Sequence, residues 1–265
     1  MKVYLIIALV GLIGCDHNTE IEYESIDSYP VAIGNEWNYT SESILKIFES
    51  ESSNTIIETD SLSFSIKIKI EKDTVLNDTM NVLKFTSLVN GNKFSSSQYS
   101  FLDSVGLQSY AYSNGGSHIY AKKSSGNYVM TAFPSPEIFV PVYNTEDIFV
   151  FEPRPRLNLK FPLKRHSKWT YVFPFEPLNL QIDKEVVGYE SIRIGNQTYS
   201  CYKIKWIYLE NKLFDGLTIF DWVSAEGLIK RNIIYPRSRL TLGDGESIGS
   251  AQQTEIITLV GLNLF

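Results

Sequence analysis

The chain has 265 residues, of which 43% are hydrophobic, a composition that excludes an intrinsically disordered protein. Its 24 Lys and Arg residues stand against 30 Asp and Glu residues, and the net charge of −6 argues against a nucleic-acid partner. The two cysteines, Cys15 and Cys201, are too few for a disulfide framework, so the fold must depend on its hydrophobic core.

The N-terminus has the pattern of a secretory signal peptide. Met1-Lys2 gives a basic start, and the run from Val3 to Gly14 carries no charge. A helix of this run rises only about 18 Å, too little to cross a hydrocarbon core of about 30 Å. Residues Leu12 to Cys15 resemble the lipobox of bacterial lipoproteins, in which the cysteine receives a lipid. We therefore expect a signal peptide over 1–14 and a lipid on Cys15 that anchors the chain to a membrane of the bacterial cell envelope, inner or outer.

The segment 15–28 is predicted to be a lipidated acidic tether. Its acidic residues are Asp16, Glu20, Glu22, Glu24 and Asp27. The residues after Cys15 reach at most about 43 Å when fully extended. Such a tether would hold the folded body away from the membrane and leave it free to tilt.

Beyond the tether, the sequence has the patterns of β-strands almost throughout. Residues 61–71 alternate between hydrophobic and polar side chains, and residues 199–208 alternate in the same way. Turn-forming pairs such as Gly195-Asn196 separate these runs, and no long segment has a helical period. We therefore predict an all-β fold of curved antiparallel sheets, arranged as a sandwich or as an open half-barrel.

The prolines divide the chain into two parts. Eight of the ten lie between Pro134 and Pro177, and proline cannot donate a hydrogen bond to a central β-ladder. We predict a single β domain over 29–265, built from two related halves, 29–133 and 161–265, that a proline-rich connection over 134–160 joins.

The two halves begin with the same motif. Tyr29-Pro30-Val31 is followed after five residues by Trp37-Asn38-Tyr39, and Phe161-Pro162-Leu163 is followed at the same spacing by Trp169-Thr170-Tyr171. Two copies at one spacing indicate a duplicated unit. Residues two apart in a strand share a face, so we predict that each Trp and Tyr packs in the core, with an aromatic ligand platform as the alternative. These core aromatics are Trp37, Tyr39, Trp169 and Tyr171.

The first motif resembles the opening FPL-x-x-G-x-x-W-x-Y of an uncharacterised family of bacterial lipoproteins. A strand similar to V-x-G-x-E-x-V lies at 187–192, and a late G-L-[VI]-K motif lies at Gly227–Lys230. In the second copy of the opening motif, Arg165–Lys168 stands where the family has its glycine turn. The resemblance covers most of the chain after the tether. It implies an antiparallel β fold and no activity.

Two patterns suggest catalysis only weakly. Gly245–Gly249 matches the G-x-S-x-G elbow of α/β-hydrolases, but its surroundings are typical of strands and no histidine follows His166. A glycosidase pair drawn from three acids is the other candidate, and a solvated loop explains them better. These acids are Glu146, Asp147 and Glu152.

The histidines and the second cysteine give no further site. None of the histidines has a neighbour at metal-ligand spacing. They are His17, His118 and His166. Cys201 lies in a strand pattern, where a buried small hydrophobic side chain is expected rather than a reactive thiol. We predict no catalytic residue, no metal and no cofactor.

The feature with most functional content is a basic segment. From Pro153 to Lys168 the chain has six basic residues and no acidic one, although the whole chain is acidic. Near an anionic surface each such charge contributes about 1 kcal/mol to binding. We predict that this segment contacts anionic lipid, a glycolipid or the cell wall, with pairing to acids elsewhere in the fold as the alternative. The six residues are Arg154, Arg156, Lys160, Lys164, Arg165 and Lys168.

Three functions follow as expectations from these patterns. The leading one is a non-enzymatic, lipid-anchored envelope protein that binds or scaffolds. The second is a carrier that holds a hydrophobic ligand on an open half-barrel, which requires an apolar cavity. The third, an outer-membrane β-barrel, is disfavoured because the lipid already supplies an anchor and polar strand faces would have to line a lumen.

Overall fold

The computed structural model describes residues 24–77, 79–89, 94–113, 118–124, 127–133, 149–173, 181–209, 215–242 and 247–265. The predicted signal peptide, Cys15 and the first part of the tether lie outside these residues, as does the segment 134–148. No helix among the described residues is long and apolar enough to cross a membrane.

The described residues form fifteen strands in one sheet, and every pairing in that sheet is antiparallel. The prediction of an all-β antiparallel fold is therefore confirmed. In chain order the strands are β1 (Glu36–Phe48), β2 (Ile56–Leu76), β3 (Met80–Val89), β4 (Phe94–Leu102), β5 (Gly106–Ser113), β6 (His118–Ser124), β7 (Asn127–Phe133), β8 (Phe149–Lys160), β9 (Lys168–Val172), β10 (Gln181–Ile194), β11 (Gln197–Leu209), β12 (Thr218–Ser224), β13 (Gly227–Ile234), β14 (Ser238–Leu242) and β15 (Ser247–Asn263).

Each half of the chain contributes a five-stranded meander to the sheet. Strands β1 to β5 pair in sequence order, and so do β9 to β13. Strand β15 pairs with both β1 and β13 and so joins the two meanders, while β8 pairs with β5 at the far edge. A side ribbon of β6, β7 and β14 attaches to β15.

The sheet does not close, and its two ends, β8 and β9, lie against each other. Main-chain pairing between them is absent from the part of the chain that the structure describes. Side chains join them instead: Trp169 Nε1 donates to the carbonyl of Leu157 at 2.9 Å, and Lys184 Nζ, from the neighbouring β10, donates to the carbonyl of Asn158 at 3.1 Å. We call this junction the seam. Of the two predicted arrangements, a single sheet of this kind fits the open half-barrel.

The first copy of the motif forms a turn that leads into β1. The amide of Asn35 donates to the carbonyl of Ala32 at 3.1 Å, and Gly34 has a φ of 97°, which other residues rarely adopt. The turn then pairs with β2, because Gly34 N donates to the carbonyl of Ile70 at 2.9 Å and Ile70 N donates to the carbonyl of Asn35 at 3.0 Å.

The second copy forms the same turn without a glycine. The amide of Ser167 donates to the carbonyl of Lys164 at 3.1 Å, and His166, at the position of Gly34, has a φ of 62°. Histidine is among the residues that enter this region more readily than most. His166 N donates to the carbonyl of Val186 at 3.3 Å, and Val186 N donates to that of Ser167 at 2.8 Å. The replacement of glycine by His166 in the second copy therefore keeps the same pattern of main-chain hydrogen bonds.

The predicted connection over 134–160 is wrong for its second part, because residues 149–160 form β8. Among the described residues this strand lies at an edge of the sheet and pairs only with β5, so a proline there interrupts no ladder on the free side of the strand. The pairing also jumps from Ser109–Arg156 to Ala111–Phe151, which takes residues 152–155 out of the ladder. Proline is tolerated here because the strand is interrupted at the position of Pro155.

The predicted core aromatics lie in the interior of the half-barrel. Trp37, Tyr39, Trp169 and Tyr171 are all buried. Trp37 Nε1 donates to the carbonyl of Glu226 at 2.7 Å, and the Tyr39 hydroxyl donates to that of Leu228 at 3.0 Å. The indole and the phenol of the first copy thus each have a main-chain partner across the core.

The last residues of the predicted tether pack on the body. Ile26 is buried, and it forms two main-chain hydrogen bonds with Leu163, of 3.2 and 2.7 Å. The hydroxyl of Tyr202 donates to the carbonyl of Glu24 at 3.2 Å. The prediction of a free tether is therefore wrong for residues 24–28, because Ile26 is an apolar side chain that the core accommodates. We call this end of the half-barrel the tether end.

Candidate functional site

Among the described residues, Asp183 is buried and pairs with the exposed Lys168, and six further charged side chains are buried in the interior of the half-barrel, on five strands. Three are cations and three are anions, so their formal charges balance. A buried charge is tolerated only when partners compensate for its lost hydration, which makes each contact informative. We call the set the ionic belt. Its members are Glu152, Arg156, Lys184, Asp221, Arg231 and Glu255.

The centre of the belt is an ion pair between adjacent strands. Asp221 on β12 lies directly opposite Arg231 on β13. Arg231 Nε and Nη2 bind the two carboxylate oxygens at 2.6 and 2.9 Å, and Trp206 Nε1 donates to the second oxygen at 2.8 Å. Burial alone would raise the pKa of Asp221, but the charge and hydrogen bonds of Arg231 outweigh it and hold that pKa below its ordinary value. Asp221 therefore stays ionised.

Lys184 lies between two aromatic rings. Its Nζ is 4.0 Å from the ring centroids of both Tyr171 and Trp206. The guanidinium carbon of Arg156 is 6.0 Å from the same Tyr171 ring, and that of Arg231 is 5.0 Å from the Trp206 ring. Cations are attracted to the faces of such rings, more strongly where water is excluded. Two aromatic side chains therefore connect the three buried cations.

Arg156 does not belong to an exposed basic surface, which corrects its predicted role. Only 5% of the residue is exposed. Its Nη2 lies 2.7 Å from a carboxylate oxygen of Glu152, which is buried as well. The alternative stated for the basic segment, pairing with an acid of the fold, holds for this residue. Glu152 is likewise a buried ion-pair partner and does not lie in a solvated loop.

Glu255 completes the belt on β15. The hydroxyl of Ser41 donates to one of its carboxylate oxygens at 2.6 Å, and that of Tyr235 lies 3.5 Å from the other. Burial, together with the charge of Glu255, raises the pKa of Tyr235 well above its ordinary value. The phenol therefore stays protonated and remains a donor.

The other weak catalytic candidates are not brought together. Ser247 begins β15 and does not lie at a strand-to-helix turn. His166 is exposed in the turn before β9, and Glu146, Asp147 and His17 lie outside the described residues. Within the described ranges, no three side chains from His, Cys, Asp and Glu are grouped so that they could hold a metal ion.

A second candidate surface lies at the tether end. Lys160, Lys164 and Arg165 are exposed and flank Leu163, the residue that pairs with Ile26. We call these three basic residues the basic rim.

Two other residues of the predicted basic segment are placed differently. Lys168 is exposed, but its Nζ lies 3.7 Å from a carboxylate oxygen of Asp183. Arg154 is exposed and packs over the ring of Phe173, six residues along β8 from Lys160, or roughly 20 Å. The predicted basic segment is thus divided between the rim, an ion pair with Asp183, a more distant surface site and the ionic belt.

Cys201 gives a direct test of burial. The residue is fully buried, and burial, with smaller contributions from Glu226 and Glu190, raises the pKa of its thiol to about 12. Because the thiolate is the reactive form, we expect no alkylation of Cys201 by iodoacetamide at pH 8 while the chain is folded. Peptide mass mapping before and after denaturation checks this, and labelling of the folded chain would contradict the burial.

The comparisons with known proteins add no relative. No protein-family model, no curated protein and no solved structure matches the chain.

The sequence contains a pattern that indicates the ionic belt, although the sequence analysis did not use it. Asp221 lies two residues from both Ile219 and Val223 in β12, so it lies on the same face of the strand as these two buried apolar side chains. Arg231 stands before Ile233 in the next strand in the same way. Opposite charges at the apolar phase of consecutive strands indicate a buried ion pair.

Proposed function

We propose that this protein is a lipid-anchored component of a bacterial cell envelope with a non-enzymatic binding or scaffolding role. The signal-like N-terminus, the lipobox-like residues that end at Cys15 and the resemblance to a lipoprotein family support the anchor. In this proposal a segment attached at the tether end connects the β domain to the lipid anchor. The basic rim beside this segment contacts an anionic surface.

The observation that carries this proposal is the pairing of Ile26 with Leu163. It holds Ile26, close to the start of the described chain, beside the residue that precedes Lys164 and Arg165. From Glu24, nine residues lead back to Cys15, and they span at most about 30 Å. With a lipid at Cys15, the rim would stay within that distance of the membrane surface.

The chemistry of the belt supports a non-enzymatic role. Asp221 is held by three donors, and its lowered pKa makes it a poor proton carrier near neutral pH. Glu152 and Glu255 are engaged by an arginine and by hydroxyl groups. Each of these carboxylates already has ion-pair or hydrogen-bond partners, which favours a structural role over proton transfer.

The anchor is tested by replacing Cys15 with alanine. We expect the native chain to incorporate an alkyne-labelled fatty acid in a bacterial host and to fractionate with membranes, and the Cys15→Ala variant to do neither. Incorporation of label by the variant at the level of the native chain would rule out lipidation at this position.

The rim is tested with a chain that starts after Cys15, so that charge alone drives binding. At about 1 kcal/mol per charge, replacing Lys160, Lys164 and Arg165 with glutamine should weaken partition onto phosphatidylglycerol vesicles by roughly two orders of magnitude. Vesicle co-sedimentation at low salt measures the loss.

A matched control removes the same three charges elsewhere. Lys46, Lys205 and Arg239 are exposed on other strands, and their replacement with glutamine should change partition less than threefold. Equal losses in the two triple variants would mean that net charge, and not the rim, determines the attraction.

The carrier alternative draws support from the open half-barrel. The ionic belt argues against a purely hydrophobic ligand, because a hydrocarbon chain beside it would supply no hydrogen bonds to its six buried charges. We therefore place binding of a hydrophobic ligand second.

A further inference from the structure

The two junctions between the meanders are equivalent in topology but not in bonding. At one, β15 follows the second meander and pairs with β1 along the whole of Glu36–Phe48. At the other, the seam, β8 follows the first meander and meets β9 without a main-chain ladder among the described residues. Separating the seam therefore requires the loss of a few side-chain bonds, whereas the other junction would lose a full ladder.

The side chains at the two junctions also differ. In the first copy of the motif Trp37 lies opposite Ile68 of β2, and in the second Trp169 lies opposite Lys184 of β10. Ile68 and Lys184 occupy the same place relative to the shared turn and are both buried. The fold accepts an isoleucine at this position, so packing does not require the buried lysine at the seam.

Besides Lys184, the seam contains a buried polar side chain whose polar atoms have no hydrogen-bond partner among the described residues. Asn158 is 1% exposed, and neither its Oδ1 nor its Nδ2 is hydrogen-bonded within the described part of the chain. Its main-chain carbonyl accepts the hydrogen bond from Lys184. Buried side-chain amides almost always have partners, so this one indicates a group that binds there.

We propose that the seam is a binding site for a small neutral ligand that carries hydroxyl groups, of the sugar or polyol type. A hydroxyl both donates and accepts, so two neighbouring hydroxyls satisfy the carbonyl oxygen and the amide nitrogen of Asn158 together. The ligand is neutral because the charges of the ionic belt already balance, and an added charge would lie buried without compensation. It enters between β8 and β9, where no ladder has to be broken.

Two sources can supply this chemistry, a free sugar or polyol and the uncharged sugar headgroup of a lipid. The test is the thermal unfolding of the full-length protein as its host produces it, after extensive dialysis. The probes are glucose, N-acetylglucosamine and glycerol, and separately vesicles of phosphatidylcholine with and without a monoglycosyl diacylglycerol. We expect at least one probe to raise Tm by roughly 5–10 °C at a hundredfold excess over its Kd.

The decisive variant is Asn158→Leu, which replaces the carboxamide with an apolar side chain of similar size. Without ligand we expect its Tm to lie roughly 3–6 °C above that of the native chain, because an unpartnered buried amide is removed. With ligand its Tm should not rise further. The matched control is Gln98→Met, since Gln98 is also buried, with 7% of the residue exposed, but its amide nitrogen donates hydrogen bonds to the hydroxyls of Ser100 and Ser109. This variant should lose stability and keep the ligand response.

The outcomes separate cleanly. A shift with a soluble probe assigns the site to a free sugar or polyol, and a shift only with glycolipid vesicles assigns it to a headgroup. No shift with any probe would overturn the proposal, and an Asn158→Leu variant less stable than the native chain would then show that the amide has an internal partner or a bound water only. If Asn158→Leu does not fold, native mass spectrometry of the full-length protein decides. A sugar-sized adduct supports the site, and a bare mass in the presence of every probe overturns it.

Discussion

Replacing Asp221 with asparagine is expected to lower the free energy of unfolding by about 3–5 kcal/mol. The variant keeps the shape of the side chain but removes the negative charge that binds two nitrogens of Arg231, a residue with no exposed surface. A buried guanidinium that faces a neutral amide has lost hydration without compensation. Urea denaturation of the two chains, followed by tryptophan fluorescence, measures the difference.

The control for this variant is Glu190→Gln on the outer surface. Its carboxylate lies 3.3 Å from Lys203 Nζ, but the side chain is 44% exposed, and ion pairs of this kind contribute less than about 1 kcal/mol. The two substitutions remove the same charge, so burial is what separates them. Equal effects would contradict the role assigned to the belt.

The same substitution should alter the dependence of stability on pH. Because the pKa of Asp221 is lower in the folded chain than in the unfolded one, its contribution is present above about pH 4 and is lost as the pH falls through the folded pKa. The native chain should therefore lose stability more steeply than Asp221→Asn as the pH falls below about 4. If the free energy of unfolding fell equally with pH in the two chains, Asp221 would not be the group responsible for the loss.

The strands were predictable from the sequence because their outer faces meet water. In β2 the side chains of Phe64, Ile66, Ile68 and Ile70 are buried and their neighbours are exposed, which is the alternation that predicted the strand. Leu62 has the same phase but is 59% exposed, since β3 begins to pair with β2 only at Ile66. Alternation thus locates a strand but does not tell how far its neighbours cover it.

The ionic belt was not predicted, for a physical reason. A charged residue in a sequence is interpreted as solvated, and only the register between strands brings Asp221 opposite Arg231. The comparison of Lys184 with Ile68 needs the register as well, because the residues between each Trp-x-Tyr strand and its partner differ in number. The prediction for the basic segment was wrong at Arg156 for the same reason. The side chain of Arg156 points into the half-barrel, and the number of charges in a segment does not show which of them point inward.

Replacing Gly227 with alanine is expected to cost about 2–6 kcal/mol, combining a strained backbone with an overpacked core. Gly227 has a φ of 112°, and an added Cβ would lie 2.9 Å from Trp37 Nε1 and 3.0 Å from the hydroxyl of Tyr29. Neither side chain can withdraw easily, because Trp37 is bonded to the carbonyl of Glu226 and both rings are buried. Chemical denaturation and the near-ultraviolet circular dichroism of the tryptophans measure the effect.

Gly195→Ala is the control that isolates the contact. Gly195 also has a positive φ, of 57°, but no atom lies within 4 Å of an added Cβ, so only backbone strain of about 1–2 kcal/mol is expected. The excess loss in Gly227→Ala then measures the packing of Tyr29 and Trp37 against the start of β13. These residues come from the opening motif and the late G-L-[VI]-K motif, which lie far apart in the chain and meet in the core. If the two variants lose equal stability, that contact is not what requires glycine at position 227, and the late motif needs another explanation.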